Sequence, residues 1–255
     1  MRSGPPGLFH GGEDVFAAVL FADFEVFDFP FMFASAQEAD AVVDGPFGQK
    51  MHARLADKGI IGLSYYELGF RNITNGKRPL NKVEDLAGLK LRVIPNAINV
   101  DWVKAVGANP TPMAFPEVYA GLEQGAIDGQ ENPFSVILAN KFYEVQKHLA
   151  VTNHQYNPQS LIMSKKVWDT LSADQKKIIQ DAATEAARYE RQVNRELAAG
   201  QLAELKKAGM QVTEISPAEL QRFRDKVKPV VEKHSAKVGE DTVKEVYAEI
   251  AKVRK

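Results

Sequence analysis

From Ser172 to Gly209 the chain reads as a single helix. Ser172-Ala173-Asp174-Gln175 has the form of a capping box, in which a serine hydroxyl and a glutamine side chain satisfy backbone N–H groups that a first turn leaves unpaired. Ile178, Ile179, Ala182, Ala186, Tyr189, Val193 and Leu197 then recur at helical spacing, and the helix can continue to Ala208, before Gly209. A helix of more than thirty residues exceeds the usual globular length, which predicts an element spanning two lobes.

Elsewhere, strand and helix signals alternate. A second capping box, Ser35-Ala36-Gln37-Glu38, predicts a helix to Lys58, broken near Gly45-Pro46 and ended by Gly59. Residues 60–66 read as a buried strand and 70–74 as extended. Residues 90–94 form another short strand, 97–106 a helix stopped by Gly107, and 116–124 a helix opened by Pro116. A strand end near Ile127 and a helix after Pro133 follow, then strands at 149–152 and 160–164. Ser216-Pro217-Ala218-Glu219 opens a helix with Leu220, Phe223, Val227, Val230 and Val231 on one side, and residues 241–253 form the last. Residues 1–14 read as disordered and 15–33 as aromatic, β-like runs. The class is therefore α/β with largely parallel sheets, and the helical last third packs on or around that body.

A formal net charge of -1 gives no basic face for nucleic acid, and the absence of cysteine removes disulfides, thiolate nucleophiles and cysteine-based zinc sites together. No stretch reaches the length of a membrane span, and residues 1–12 have no apolar core of a signal peptide. P-loop, dinucleotide-binding, nucleophile-elbow and zinc-protease motifs are all missing. His148 and His154 are the one histidine pair close enough to consider as metal ligands, and their spacing across a strand does not require a shared face. Neither catalytic residues, a metal nor a cofactor is expected.

Anion-binding features cluster between Phe70 and Pro133. Arg92 ends a strand pattern that runs into Pro95-Asn96, a position that faces the ligand crevice of open α/β sheets. Its planar fork fits a carboxylate, although a scaffold ion pair with a neighbouring Asp or Glu is the commoner use of such an arginine. Arg71 is either a second cationic contact or a partner of Glu67. Phe115 precedes a helix start and is either a ligand wall or core. Asn132, beside Pro133, either donates to a ligand or satisfies its own turn.

Four ordered segments carry a family resemblance: Gly88-Leu89-Lys90-Leu91-Arg92-Val93, Gly107-Ala108-Asn109-Pro110-Thr111-Pro112-Met113, Phe115-Pro116-Glu117-Val118-Tyr119, and residues 125–133 from Gly125 to Pro133. In words, order and spacing they resemble DctP-type TRAP transporter solute-binding proteins, with weaker likeness from Val26 to Ser216. The resemblance implies a two-lobed periplasmic-binding-protein-like fold with a long helix across both lobes. Residues 1–68 would be part of lobe 1 and 69–157 lobe 2. Residues 158–215 would be the return to lobe 1 with the long helix, and 216–255 the packing helices. It also implies Arg92 as main partner of a ligand carboxylate, Arg71 assisting, Asn132 hydrogen-bonding and Phe115 packing on the ligand, with His154 and Glu131 near the cleft. The implied protein is a periplasmic monomer that delivers an organic acid, a C4-dicarboxylate first, to a sodium-coupled permease. A ligand-sensing receptor on the same fold and an inactive fragment are the alternatives. Such proteins carry a signal peptide and a strand–helix–strand before the point where the likeness begins, so a truncated first lobe is expected.

Overall fold

The computed structural model describes residues 8–10 and 22–254. The expectations for residues 1–7 and 11–21 lie outside these. Residues 8–10, read as disordered, form strand β1 (Leu8–His10), and the expected β-like run over 22–28 is a 3-10 helix, Ala22–Asp28. Aromatic density there signalled burial rather than extension: Phe24, Val26, Phe27 and Phe29 all enter the core.

The fold is organised by two long antiparallel strands, β2 (Ile60–Asn75) and β6 (His148–Ser164), paired from Ile60↔Ser164 to Asn75↔His148. The two pieces expected at 60–66 and 70–74 are thus one strand, and so are those at 149–152 and 160–164. Register shifts at Gly62/Ser64, Glu67/Gly69 and Arg71/Ile73 bend the ladder, and Gly69 accepts the φ of +108° required at the middle one. At one end β1 pairs with β6. At the other, β2 pairs antiparallel with β5 (Gly129–Asn132), while β3 (Lys90–Val93) lies parallel between β5 and β4 (Asn109–Pro112). β7 (Gln211–Glu214), not expected from the sequence, adds parallel to β6. The expected largely parallel sheet is therefore corrected. Strand–helix alternation specifies pairing sense only between strands joined by one crossover, and β2 and β6 are separated by a whole folded body.

Each end of the ladder has its own core. Toward β1, helices α1 (Ala36–Val43) and α2 (Pro46–Arg54) bury Val42, Phe47 and Met51 with Phe27, Tyr65 and Tyr156. Ser35 Oγ accepts the Glu38 N–H at 3.3 Å as the capping box requires. The Glu38 carboxylate reaches one residue further back, to the Ala34 N–H at 2.7 Å, and pairs with Arg254. A Cβ at Gly48 would stand 1.9 Å from the Val43 carbonyl oxygen, so glycine permits the close turn between the two helices. Toward β3, helices α3 (Ala97–Ala105) and α8 (Pro217–Val238) cover one face with Trp102, Val103, Phe223 and Val227. Helices α4 (Val118–Glu123) and α5 (Phe134–Ala139) cover the other with Val118, Leu122 and Ile137. The short α6 (Lys165–Trp168) leads from β6 into the long helix, and α9 (Glu240–Val253) returns to α1.

The long helix is α7 (Ala173–Lys207), 35 residues opened by the expected Ser172/Gln175 capping box. Its seating differs from its apolar pattern. The residues that reach the core are Ala183, Ala187, Arg191 and Leu205, whereas Ile178, Tyr189 and Leu197 face outward. Small side chains let the helix lie close on β2, and Arg191 secures it with a fork to Asp44 at 2.7 and 2.9 Å and a bond to the Tyr65 carbonyl at 3.0 Å.

His52, on α2, stacks on Tyr65 with ring centroids 3.7 Å apart and bonds Ser160 Oγ at 3.1 Å. Burial pushes its pKa down to about 3. A proton that the unfolded chain accepts near pH 6.5 is thus refused by the folded one. Stability present above pH 6.5 is lost as pH falls toward 3, by about 1 kcal/mol per pH unit. In His52→Phe, urea unfolding at pH 6.5 and 4.5 should show a pH dependence flatter by that amount.

Candidate functional site

Strand β3 places Arg92 next to its carboxyl end, between two strands parallel to it. Leu91 and Val93 fill the core on either side of it in sequence, and Arg92 itself is 0% exposed. A guanidinium removed from water needs acceptors or an anion. Its Nε donates to the Met113 carbonyl at 2.9 Å. That carbonyl is held in place because β4 runs in register with β3 (Arg92↔Thr111) and the Met113 N–H bonds the Val93 carbonyl. The same segment continues into Phe115, whose ring centroid lies 5.9 Å from the Arg92 guanidinium carbon, within cation–π range. Phe115 also meets Phe142 edge-on at 6.1 Å, so the ring both backs the guanidinium and joins the core.

Arg71 and Glu131 form a second group. Cross-strand neighbours on β2 and β5 (Ile73↔Glu131, Asn72↔Asn132) bring them together, both 0% exposed. Arg71 Nε and Nη2 grip the Glu131 carboxylate, Nη2 also bonds the Glu131 carbonyl at 2.6 Å, and Nη1 donates to Asn157 Oδ1 at 2.8 Å. The alternative partner, Glu67, is not used. Four residues along a strand separate the two by about 13 Å. Glu67 instead pairs with Arg195 at 2.6 Å and accepts from the Tyr156 hydroxyl at 2.9 Å.

His154 completes this group. Its Nε2 lies 3.2 Å from Glu131 Oε2 and its Nδ1 2.8 Å from Thr152 Oγ1, while Trp102 covers the ring with centroids 4.8 Å apart. Burial lowers the His154 pKa, with Glu131 opposing, so the neutral ring donates from Nε2 and the pair is a hydrogen bond rather than an ion pair. For Glu131, burial raises the pKa, but the Arg71 charge and the bonds from His154 and Arg71 outweigh it and hold the carboxyl at about 2. With both ring nitrogens so engaged, His154 has a structural partner set rather than the open geometry of a metal ligand.

Asn132 ends β5, fully buried. Its Nδ2 donates to Gln130 Oε1 at 2.7 Å, and its Oδ1 receives no hydrogen bond among the described residues. A buried amide oxygen without a donor costs stability unless something supplies one. The site thus combines a buried arginine, an aromatic wall, an unmatched amide oxygen and an ion pair already neutralised. Among the described residues it brings together no nucleophile–base pair; its arginine can hold an anion, and its amide oxygen can accept from a hydroxyl.

The model of the bacterial extracellular solute-binding protein family 7 (DctP) matches residues 8–237. This chain belongs to that family. The match extends beyond the Val26–Ser216 likeness at both ends. Family members are substrate-binding transport proteins rather than enzymes. The chain is 39% identical over 223 residues to a solute-binding protein of Verminephrobacter eiseniae, covering 87% of this chain and 66% of that one. It is 37% identical to the 2,3-diketo-L-gulonate-binding periplasmic protein YiaO of Escherichia coli, covering 83% and 64%. It thus spans about two thirds of the length of these curated relatives. Among solved structures, the sugar acid binding protein DctPAm of Advenella mimigardefordensis in complex with galactonate superposes with a TM-score of 0.90 at 43% identity, over 93% of this chain and 76% of that one. A TRAP periplasmic solute binding protein of Sulfurospirillum deleyianum with bound succinate superposes at 0.88 and 30% identity, over 95% and 79%. The fold is accordingly the two-lobed architecture of TRAP solute-binding proteins.

Sequence reasoning for this solute-binding protein missed Asn157, Thr152 and the Met113 carbonyl. Thr152 ends the first expected strand, and Asn157 sits in the polar run 153–159, read as a gap between strands. The signal was present as a series of amides and hydroxyls too long for a turn, but only burial in the β2–β6 ladder shows that they face one another.

Proposed function

We propose that this family 7 protein captures a small organic acid, with its carboxylate on Arg92, and delivers it to a sodium-coupled TRAP permease from the periplasmic side of the membrane. The wholly buried Arg92 guanidinium, whose Nε donates to the Met113 carbonyl and which Phe115 faces, is the observation that carries this reading. A carboxylate there gains charge-assisted bonds in a site largely free of water. Asn132 Oδ1 accepts from a ligand hydroxyl, Phe115 packs on the carbon skeleton, and Arg71, with Glu131 and His154 behind it, lines the same cleft. Lobe boundaries near residues 68, 157 and 215 fit this reading, with closure about β2 and β6.

A C4-dicarboxylate is the first expectation, supported by the succinate and C4-dicarboxylate relatives. One observation favours a second reading. A second carboxylate needs a second cation, and the Arg71 charge is already matched by Glu131. A hydroxylated monocarboxylate would leave that pair intact, in line with the neighbours holding galactonate and D-erythronate. A thermal-shift panel of succinate, malate, galactonate and erythronate tests both. An acid at about 100-fold its Kd should stabilise by about 2.7 kcal/mol, a rise of roughly 5–10 °C. Silence across all the acids would reject the site, and a response to succinate alone would reject the second reading.

A further inference from the structure

The outward face of α7 carries an apolar stripe that the described residues leave uncovered. Ile178, Tyr189 and Leu197 are 67%, 69% and 53% exposed, Ala182 and Ala186 between them are exposed, and Val193 is half-buried. Successive spacings of four, four, three, four and four residues keep all six on one side of a straight helix, since an eleven-residue rhythm nearly matches the α-helical turn. Scattered apolar residues on a surface need no explanation, but a continuous stripe along five helical turns does.

The stripe has a property that names its occupant. Its spacing, though not its residue types, is the same from either end: positions 178 and 197, 182 and 193, and 186 and 189 share one midpoint, between Ala187 and Arg188. We propose that this face is a two-fold contact between two copies of the chain, with their α7 helices antiparallel. About that midpoint, Ile178 stands level with Leu197 of the second copy, Ala182 with Val193 and Ala186 with Tyr189. The two inner levels each set a small side chain against a large one, as interdigitated packing requires. The flanks carry both signs, including the exposed Lys177–Asp181 pair and Glu185, so they lack the basic rim of a membrane-surface helix. The contact runs about 28 Å along each helix. One helix pair falls short of the roughly 1,200 Å² of a stable interface, so the association is weak and concentration-dependent. The monomer expected from the family resemblance is then the dilute form.

Because the chain has no cysteine, single cysteines report the register directly. In the proposed pairing the two Ala186 positions flank the axis within disulfide reach, about 6 Å between Cα atoms. Arg188, at the same level but on another face, is turned away. Ala186→Cys should therefore form a disulfide-linked dimer under mild oxidation at least ten times faster than Arg188→Cys. Sedimentation of the unmodified chain should show mass rising with concentration, and Tyr189→Glu, exposed and free of core contacts, should abolish the rise while leaving the melting temperature unchanged. Equal cross-linking at 186 and 188, or a constant monomer mass up to the highest soluble concentration, would overturn the proposal. So would self-association that survives Tyr189→Glu.

Discussion

An Arg92→Ala protein should fold, yet gain no thermal stability from any organic acid that stabilises the parent chain. Removing the cationic partner of a buried carboxylate forfeits its charge-assisted bonds and strands a negative charge out of water. That costs roughly 2–5 kcal/mol, on the order of 10²–10³-fold in Kd. The guanidinium is held through Nε by a backbone carbonyl and faced by Phe115, so its fork is already oriented when the acid arrives. Arg92→Lys keeps the charge but loses the planar pair of donors and the stacking, and should fall between the two, about tenfold or more weaker than the parent. Calorimetric titration of the three proteins with the best acid of the panel provides the measurement. Equal affinity in Arg92→Ala would move the carboxylate site elsewhere in the cleft.

Glu131→Gln should act in the opposite manner, on stability first. Arg71 and Glu131 are both 0% exposed and satisfy each other through two guanidinium nitrogens. Neutralising the glutamate leaves a buried cation without its counter-charge, a change that costs about 3–5 kcal/mol. For a chain of this size that is a fall in melting temperature of roughly 10 °C. The pH dependence has a defined sign. The folded carboxyl, at about 2, lies below its ordinary 4.5. Its contribution is therefore fully present above pH 4.5 and is lost as pH falls from 4.5 toward 2. Unfolding free energies at pH 7 and 3 should show the variant losing less on acidification than the parent. A variant as stable as the parent at pH 7 would mean that Arg71 finds another anion, Glu67 being the nearest acidic residue on its strand.

These two results separate roles that the sequence leaves together. Arg71 and Arg92 both read as cations near a cleft. Only the register of β5 against β2 shows that Arg71 is spoken for by Glu131, and only the passage of β4 along β3 brings Met113 and Phe115 to Arg92. Helix ends, by contrast, were legible because capping is local: Ser35, Ser172 and Ser216 each accept the N–H three residues on, as the sequence indicates.

The long helix shows where that legibility stops. Its limits, from the Ser172 cap to Gly209, and its role as a bridge across both lobes follow from sequence alone, because capping and uninterrupted periodicity act within one helix. Which face it buries does not. Periodicity marks Ile178, Tyr189 and Leu197 as a coherent face, but the helix sits on β2 through Ala183 and Ala187 with Arg191 tied to Asp44 and the Tyr65 carbonyl. Close approach to a sheet favours small side chains, and an arginine between two acceptors outweighs the exposure of three large apolar residues. That choice depends on partners far away in the chain, so the tertiary structure alone decides it.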